Sequence, residues 1–237
     1  MDRYSLNARI YPVVIFYMPA IILAVLFLLK FDNYIHLFTS FGIVGALSYL
    51  FSQLGRDGGR RKERKLWRSW GGAPTTQLLR WSNNEINVNI KKRYHNKLSV
   101  LCPVDDLPDP AYEQANPVES DEIYQYWTKF LISKTRDTQK YSVLFKENMN
   151  YGFRRNLWGM KTYAIWLILI LMVGTYGYYW LTIKSINPTI YPMEFLIAEV
   201  ILLVIFFFWI FVINKNWIKV PAFAYAERLL EATEELD

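Results

Sequence analysis

The fold is decided by the stretch Phe195-Leu-Ile-Ala-Glu199-Val-Ile-Leu-Leu-Val-Ile-Phe-Phe-Phe-Trp-Ile-Phe-Val-Ile213, which is apolar except for one carboxylate and one indole N–H. A helix of about 20 apolar residues crosses the hydrocarbon core of a bilayer, so this stretch predicts most of a transmembrane helix. A charged side chain at the centre of such a helix costs about 2.5 to 3.5 kcal/mol on insertion scales. Glu199 is therefore expected to face a helix bundle or a wet cavity.

Three further windows are long and apolar enough to span a bilayer. The sequence thus predicts four transmembrane helices, at residues 11–29, 35–54, 163–183 and 193–213. The second is the least apolar because it contains Ser40, Ser48 and Ser52. The first is expected to be a retained span, since it lacks the small-residue cleavage site of a signal peptide and a second span follows closely.

The basic residues predict the orientation of these spans. Between Gly55 and Lys161 lie 20 of the 27 Lys and Arg residues, against 12 of the 21 acidic ones. Each hairpin loop, at 30–34 and 184–192, carries a single Lys. Because cytoplasmic loops carry the excess of Lys and Arg, we expect both termini and the middle region to be cytoplasmic.

The predicted fold class is mostly α: a polytopic membrane protein with four transmembrane helices and a small helical (α or α+β) cytosolic domain inserted between spans 2 and 3. Its parts are a transmembrane hairpin at 1–54, a basic cytosolic domain at 55–161, a second hairpin at 162–214 and a cytosolic C-terminal helix at 215–237. The C-terminal helix is expected to pack on its own domain, or alternatively on a neighbouring subunit.

Within the middle domain, residues 60–70 predict a basic helix that Gly71-Gly72 ends, with a short second helix after Pro74. Alternation of Ile86, Val88 and Ile90 predicts a strand in 85–100. Residues 103–117, rich in Pro and Asp, predict a loop. A helix is then expected from Ser120, because apolar residues recur at helical spacing behind it.

Glu199 and Glu194 are the candidate pore or cavity residues. In an oligomer of identical subunits, one carboxylate per subunit would form a ring that attracts cations. The alternative is that Glu199 accepts a structural hydrogen bond from a Tyr or Ser hydroxyl, or from a Trp indole N–H, on a neighbouring helix. For Glu194 alone, an ordinary position at the membrane interface is the preferred interpretation.

Basic and aromatic residues are interleaved in the middle domain. Arg and Lys bind phosphates and aromatic rings stack on bases, so this pattern predicts an anionic ligand, with a nucleotide or oligonucleotide as candidate. The predicted ligand-binding residues are Lys91, Lys92, Arg93, Tyr94, His95, Arg80 and Trp81. The alternative is that basic residues near the membrane serve topology and contact anionic lipid headgroups; these predicted membrane-surface or gating residues are Arg60, Arg61, Arg64, Arg154, Arg155 and Trp158.

Other chemistries have little support in the sequence. Cys102 is the single cysteine and there are two histidines, so neither an intrachain disulfide nor a clustered zinc site is expected. No catalytic set and no cofactor are predicted. The segment Gly71-Gly72-Ala73-Pro74-Thr75-Thr76 lacks the Lys and the spacing of a P-loop, which favours an interhelical turn over a phosphate cradle.

The stretches Gly55-Arg-Asp-Gly-Gly-Arg-Arg-Lys-Glu and Trp70-Gly-Gly-Ala-Pro-Thr-Thr-Gln-Leu-Leu-Arg80 are similar to a run found in small bacterial membrane proteins, and this similarity implies no activity. The wider layout resembles membrane effectors of bacterial anti-phage systems, namely Hailong-type channels and cyclic-oligonucleotide-gated effectors. That resemblance implies a homo-oligomeric channel, with a tetramer as the simplest guess, in the bacterial inner (plasma) membrane. It also implies a nucleotide or oligonucleotide ligand made by a partner nucleotidyltransferase. The alternative function is a non-conducting scaffold or sensor that recruits a protein partner.

Overall fold

The computed structural model describes residues 3–28 and 34–236, with the side chains of residues 28 and 34–47 outside that description. The described chain is helical and contains no β-strand. Its α-helices are α1 (Arg3–Ser5), α2 (Tyr11–Leu28), α3 (Tyr34–Trp70), α4 (Pro74–Leu79), α5 (Val88–Leu101), α6 (Pro110–Ala115), α7 (Pro117–Lys134), α8 (Ser142–Ile183), α9 (Met193–Phe207) and α10 (Lys215–Glu231). π-Helical segments at Leu6–Ile10 and Phe208–Val212 lengthen α2 and α9.

Three described helices are long and apolar enough to cross a membrane. They are Arg3–Phe27, Ser142–Ile183 and Met193–Val212. The second of these contains the third predicted span, and the other two cover nearly all of the first and fourth. The second predicted span, at 35–54, falls within α3, but most of its side chains lie outside the described residues. The chain therefore has the features of a membrane protein, with three candidate spans in its described part.

The predicted strand at 85–100 is wrong, because this segment forms α5. Asn87 begins the helix: its side-chain oxygen accepts a hydrogen bond from the backbone N–H of Asn89 at 2.9 Å, as expected of an N-cap. The buried residues of α5 then follow helical rather than alternating spacing, at Lys91, Tyr94, His95 and Leu98. The apolar alternation is short: Ile86 precedes α5, and Val88 and Ile90 lie in its first turn.

The loop predicted at 103–117 includes one helical element, since α6 occupies Pro110–Ala115. Asp109 caps it by accepting a hydrogen bond from the backbone N–H of Tyr112 at 2.7 Å. The helix expected from Ser120 begins slightly earlier, at Pro117. Gly71 and Gly72 end α3 with φ values of 93° and 137°, which only glycine adopts readily.

The chain forms two compact units. Unit 1 comprises Met1–Lys62 and Gly152–Ile218, and unit 2 comprises Glu63–Tyr151 and Lys219–Asp237. Of the predicted domain at 55–161, unit 2 includes residues 63–151, and it adds residues 219–237 of the C-terminal segment. The packing of that segment on its own unit rests on four buried residues that join the unit 2 core, Ala226, Leu229, Leu230 and Ala232.

The core of unit 1 is apolar. Its fully buried members come from α2, α8 and α9 with the π-helical segment that follows it, and include Val13, Leu157, Ile168, Leu202 and Trp209. Helices α3 and α8 also approach closely at glycines. A Cβ added to Gly159 would lie 2.5 Å from the backbone nitrogen of Gly59 and 2.6 Å from the carbonyl oxygen of Gly55. Small residues four apart allow such contact between helix backbones.

The core of unit 2 is apolar and aromatic, and α4, α5, α7 and α10 contribute to it. Leu79, Leu98, Trp127, Leu131 and Leu229 are each fully buried. The indole N–H of Trp127 donates to the carbonyl oxygen of Cys102 at 3.0 Å. This satisfies the one polar atom of a large buried ring.

Candidate functional site

The predicted basic run 91–95 lies on α5, and the helix divides it between two faces. Lys91 is 1% exposed, and its ammonium group donates hydrogen bonds to the carbonyl oxygens of Arg80, at 2.6 Å, and Asn83. Burial lowers the pKa of Lys91, while the negative charge of Glu113 acts in the opposite direction. Lys91 therefore joins the turn after α4 to α5, and its donors are used inside the protein.

His95 is equally enclosed, at 2% exposure. Its Nε2 lies 2.8 Å from the carbonyl oxygen of Leu79, so that nitrogen carries the proton and donates it. The ring packs among Trp81, Tyr124 and Trp127, with centroids 4.5, 5.4 and 5.3 Å away. Burial lowers the pKa of His95 to about 4, and the imidazole is neutral at pH 7.

Glu113 lies beside these residues and is the shared acceptor of a hydrogen-bond network, although the sequence placed it in the Pro- and Asp-rich segment 103–117 that was predicted to be a loop. Its carboxylate accepts hydrogen bonds from the backbone N–H groups of Trp81, at 2.8 Å, and Ser82, at 3.1 Å. The hydroxyl of Tyr124 donates to it at 2.7 Å. Burial alone would raise the pKa of Glu113, but these donors lower it below its ordinary value.

Arg80 and Trp81 have internal partners as well. The guanidinium of Arg80 donates to both carboxylate oxygens of Asp121, at 2.8 and 2.6 Å, and to the carbonyl oxygen of Gly71 at 3.0 Å. The bond to Asp121 raises the pKa of Arg80. The indole N–H of Trp81 donates to the carbonyl oxygen of Pro108 at 2.6 Å. Both side chains hold the loop Gly71–Ala73 and the segment before α6 in place.

The remaining predicted ligand residues lie at the surface or beneath it. Tyr94 is buried, which raises its pKa to about 12. Arg93 is exposed and pairs with the carboxylate of Glu234 at 2.7 Å. Lys92 is exposed. The structure thus gathers most of the predicted set around the Glu113 network and brings only Lys92 and Arg93 of the run 91–95 to the surface.

A different part of unit 2 contains an open cleft of about 870 Å³. It is lined by residues from the end of α3, the turn to α4, α7 and α10, with Tyr151 from α8. Its charged residues are Arg64, Arg68, Arg80, Asp121 and Lys129. Sequence analysis recognised the basic α3 end, but nothing in the sequence indicates that Lys129 lies beside it.

The cleft also has aromatic walls. Trp67, Tyr151 and Tyr225 line it, and the two tyrosine rings are nearly parallel, with an interplanar angle of 9° and centroids 6.4 Å apart. The hydroxyl of Tyr151 donates to the carboxylate of Glu63 at 2.6 Å, which fixes this ring. The cleft therefore combines cationic and aromatic groups, the two groups expected to contact an anionic ring-bearing ligand.

In unit 1, Glu199 is half-buried on α9 and accepts a hydrogen bond from the hydroxyl of Thr175 on α8. The same hydroxyl also lies within hydrogen-bonding distance of the carbonyl oxygens of Leu171, at 2.9 Å, and Met172, at 3.0 Å. This interhelical hydrogen bond is of the kind that the sequence left open as the alternative to a pore position, but its donor is a Thr hydroxyl and not the Tyr, Ser or Trp that was expected. Glu194 is half-buried in the first turn of α9, where the helix dipole favours a negative charge.

The predicted membrane-surface residues have several environments. Arg154 donates to the carbonyl oxygen of Trp217 at 2.7 Å and lies over that indole, 4.7 Å from its centroid. Trp158 has the ammonium group of Lys62 5.4 Å from its ring centroid. Arg155 is half-buried, and Arg60, Arg61 and Arg64 are exposed. Another cation of α8 was missed by the sequence analysis: Lys161 donates to the carbonyl oxygens of Ile210, at 2.8 Å, and Ile213, at 2.7 Å.

Among the side chains that the structure describes, no three His, Cys, Asp or Glu residues come together to hold a metal ion. Cys102 is buried as a free thiol. Comparison with protein-family models, with curated proteins and with solved structures finds no match to this chain.

Proposed function

We propose that this chain is a homo-oligomeric membrane effector, an ion channel gated through unit 2 by an anionic ligand. The membrane part of the proposal is supported by three helices long and apolar enough to span a bilayer. The distribution of Lys and Arg favours cytoplasmic termini and a cytoplasmic unit 2. Following the resemblance in layout, we place the protein in the bacterial inner membrane and in anti-phage defence, with a nucleotidyltransferase as the source of the ligand.

The observation that carries the channel proposal is the state of Glu199. This carboxylate lies within a candidate span, and Thr175 is its one hydrogen-bond donor among the described residues. A carboxylate has about four acceptor positions, and among the described residues Thr175 fills one of those on Glu199. In the proposed channel, water or a cation occupies the others. Charged groups within spans are typically found along ion pathways. One such carboxylate per subunit would supply the cation-attracting ring of an oligomeric pore.

Helix α8 offers a route for gating. It begins in unit 2 at Ser142 and contains the third predicted span. A ligand that binds one conformation of unit 2 more tightly shifts the population toward that conformation, and α8 supplies a covalent connection to the span. The ligand then acts as the opening or closing signal.

The proposal is tested with the purified full chain in liposomes loaded with a cation-sensitive dye. We expect cation flux that changes when AMP or a short oligoadenylate is added. Glu199→Gln should lower the preference for cations over anions, while Glu122→Gln, which removes an exposed carboxylate on α7, should not. The channel proposal is wrong if no flux occurs with or without these ligands. If flux occurs but Glu199→Gln keeps the original selectivity, Glu199 does not line the pore.

A second candidate function is a non-conducting scaffold or sensor that recruits a protein partner. The Thr175–Glu199 hydrogen bond favours it, because a carboxylate held between two helices can serve the packing of the bundle alone. Under this proposal, a protein co-purifies with the chain in a fixed ratio and no flux is measured. Flux from the pure chain without any partner would contradict it.

A further inference from the structure

We infer that the cleft of unit 2 is a binding site for a soluble, ring-bearing organic phosphate of nucleotide size. This inference deepens the proposed function and rests on it for the role of the ligand as a signal. The binding site itself depends only on the side chains that line the cleft.

The charges in the cleft are not balanced. Asp121 is the one carboxylate in its lining, and both of its oxygens accept hydrogen bonds from Arg80. The other three cations, Arg64, Arg68 and Lys129, are exposed, and no hydrogen bond or ion pair holds their charged groups among the described residues. Cations gathered in a concave surface attract anions more strongly than scattered ones, and Arg is well suited to bind a phosphate through two donors.

The Arg80–Asp121 pair stabilises the shape of the cleft and is not counted among its free cations. By donating to both Asp121 and the carbonyl oxygen of Gly71, Arg80 ties α7 to the turn after α3. Gln77 adds a second bond, to the carbonyl oxygen of Gly72 at 2.7 Å. These bonds fix the edge of the cleft that carries Arg64 and Arg68 relative to the edge that carries Lys129. The cleft is thus held open before any ligand arrives.

The size and the walls of the cleft point to the rest of the ligand. Its volume of about 870 Å³ lies within the range of about 300 to 1,000 Å³ that small-molecule sites occupy. Tyr225, which is half-buried, presents the accessible part of an aromatic wall, and the buried Tyr151 lies nearly parallel to it. Each base stacked on an aromatic ring contributes about 1 to 3 kcal/mol. A free phosphate would use the cations alone, whereas a nucleotide would also use this wall.

A phospholipid headgroup offers the same phosphate chemistry. It lacks a planar ring, and so leaves the tyrosine wall unused. The aromatic residues therefore favour the soluble ligand. The experiment below separates the two sources.

The test measures binding to the detergent-purified full chain by isothermal titration calorimetry. The probes are AMP, ribose 5-phosphate, which has the phosphate without the base, and inorganic phosphate. We expect AMP to bind most tightly and ribose 5-phosphate to bind more weakly by about tenfold, as expected when one stacked base is lost. The double variant Arg68→Gln/Lys129→Gln should weaken AMP binding by at least about tenfold, because hydrogen bonds to charged groups are lost.

The matched control is Arg136→Gln/Lys146→Gln, which removes one Arg and one Lys that are exposed in unit 2 and do not line the cleft. It should retain the AMP affinity of the unaltered chain. Equal losses in both double variants would mean that AMP responds only to net charge, and would overturn the site. Equal binding of AMP and ribose 5-phosphate would overturn the aromatic part of the inference.

Whether a phospholipid headgroup binds the cleft is tested by measuring the thermal unfolding of the same proteins in nanodiscs. The nanodiscs are made of phosphatidylcholine with or without phosphatidylglycerol. Stabilisation by phosphatidylglycerol that only the cleft variant loses, without AMP binding, would overturn the soluble ligand in favour of a headgroup. The proposed function can fail separately. AMP binding at the cleft without flux refutes the channel but keeps the site, whereas ligand-dependent flux that the cleft variant retains refutes the site but keeps the channel.

Discussion

Two carboxylates, the buried Glu113 of unit 2 and the half-buried Glu199 of unit 1, differ in how many hydrogen-bond donors surround them. Glu113 in unit 2 accepts hydrogen bonds from two backbone N–H groups and a tyrosine hydroxyl. Glu199 in unit 1 accepts one, from Thr175, among the described residues. Buried polar groups in native proteins are normally satisfied. A carboxylate surrounded by fixed donors is therefore explained by structure alone, whereas one with open acceptor positions invites a functional explanation.

The same difference extends to the rest of each unit. A polar network connects the helices of unit 2: Lys91, Arg80 and His95 each donate a hydrogen bond to a backbone carbonyl oxygen or to a carboxylate. Unit 1 depends on an apolar core and on close approach of helix backbones at Gly159. We expect the loss of polar groups to damage unit 2 strongly and unit 1 weakly, and the four predictions below test that contrast.

The largest effect is expected from Glu113→Ala. It leaves the N–H groups of Trp81 and Ser82 and the hydroxyl of Tyr124 without their acceptor, and each buried donor left unsatisfied costs about 1 to 3 kcal/mol. Denaturant unfolding and hydrogen exchange of residues 81–82 in the full chain measure this loss. Glu122→Ala, an exposed carboxylate on α7, should change the free energy of unfolding little. If the two variants are equally stable, the network does not hold unit 2 together.

Acid is expected to destabilise unit 2 through His95. Its pKa of about 4 in the folded chain lies below the ordinary 6.5, so the unfolded chain binds the proton first as the pH falls. The stabilisation is complete above about pH 6.5, and about 3 kcal/mol is lost as the pH falls from there to about 4.

Melting curves between pH 7 and pH 4.5 measure this effect. His95→Gln keeps an N–H donor for the carbonyl oxygen of Leu79 but cannot titrate in this range. Its melting temperature should fall less with pH than that of the unaltered chain. The same pH dependence in both proteins would show that another group is responsible.

In unit 1, Gly159→Ala is expected to disturb the packing of α8 on α3. The new methyl group would lie 2.5 Å from the backbone nitrogen of Gly59, and overpacking of this kind costs about 1 to 3 kcal/mol. Gly174→Ala is the matched control on the same helix, because a Cβ there meets no heavy atom within 4 Å. Thermal unfolding in detergent should separate the two variants, and equal melting temperatures would argue against close packing at Gly159.

The smallest effect is expected from Thr175→Val. Side-chain hydrogen bonds between membrane helices contribute about 0.6 kcal/mol on average and about 1.7 kcal/mol at most. Thr182→Val is the control, since the hydroxyl of Thr182 bonds only within its own helix, to the carbonyl oxygen of Tyr178 at 2.8 Å. If Thr175→Val lost as much stability as Glu113→Ala, the two units would not differ in their dependence on polar groups. Glu199 would then be a structural residue.

The errors of sequence analysis have identifiable causes. The strand predicted at 85–100 rested on three alternating apolar residues, and the cap at Asn87 with the buried face of α5 outweighed that short pattern. The basic run 91–95 reads as one patch in the sequence. Because α5 turns its residues to different sides, Lys91 and His95 enter the interior while Lys92 and Arg93 face outward.

The sequence by itself determined the helical class, the three candidate spans and the position of an acid within one of them. Each of these follows from composition and periodicity over about 20 consecutive residues, which a chain carries locally. Only the tertiary structure decided that Glu113 is the centre of a polar network and that Lys129 lines the same cleft as Arg64 and Arg68. Those groupings depend on which helix faces pack together, and residues more than 60 positions apart in the chain, such as Arg68 and Lys129, carry no local signal that they will meet.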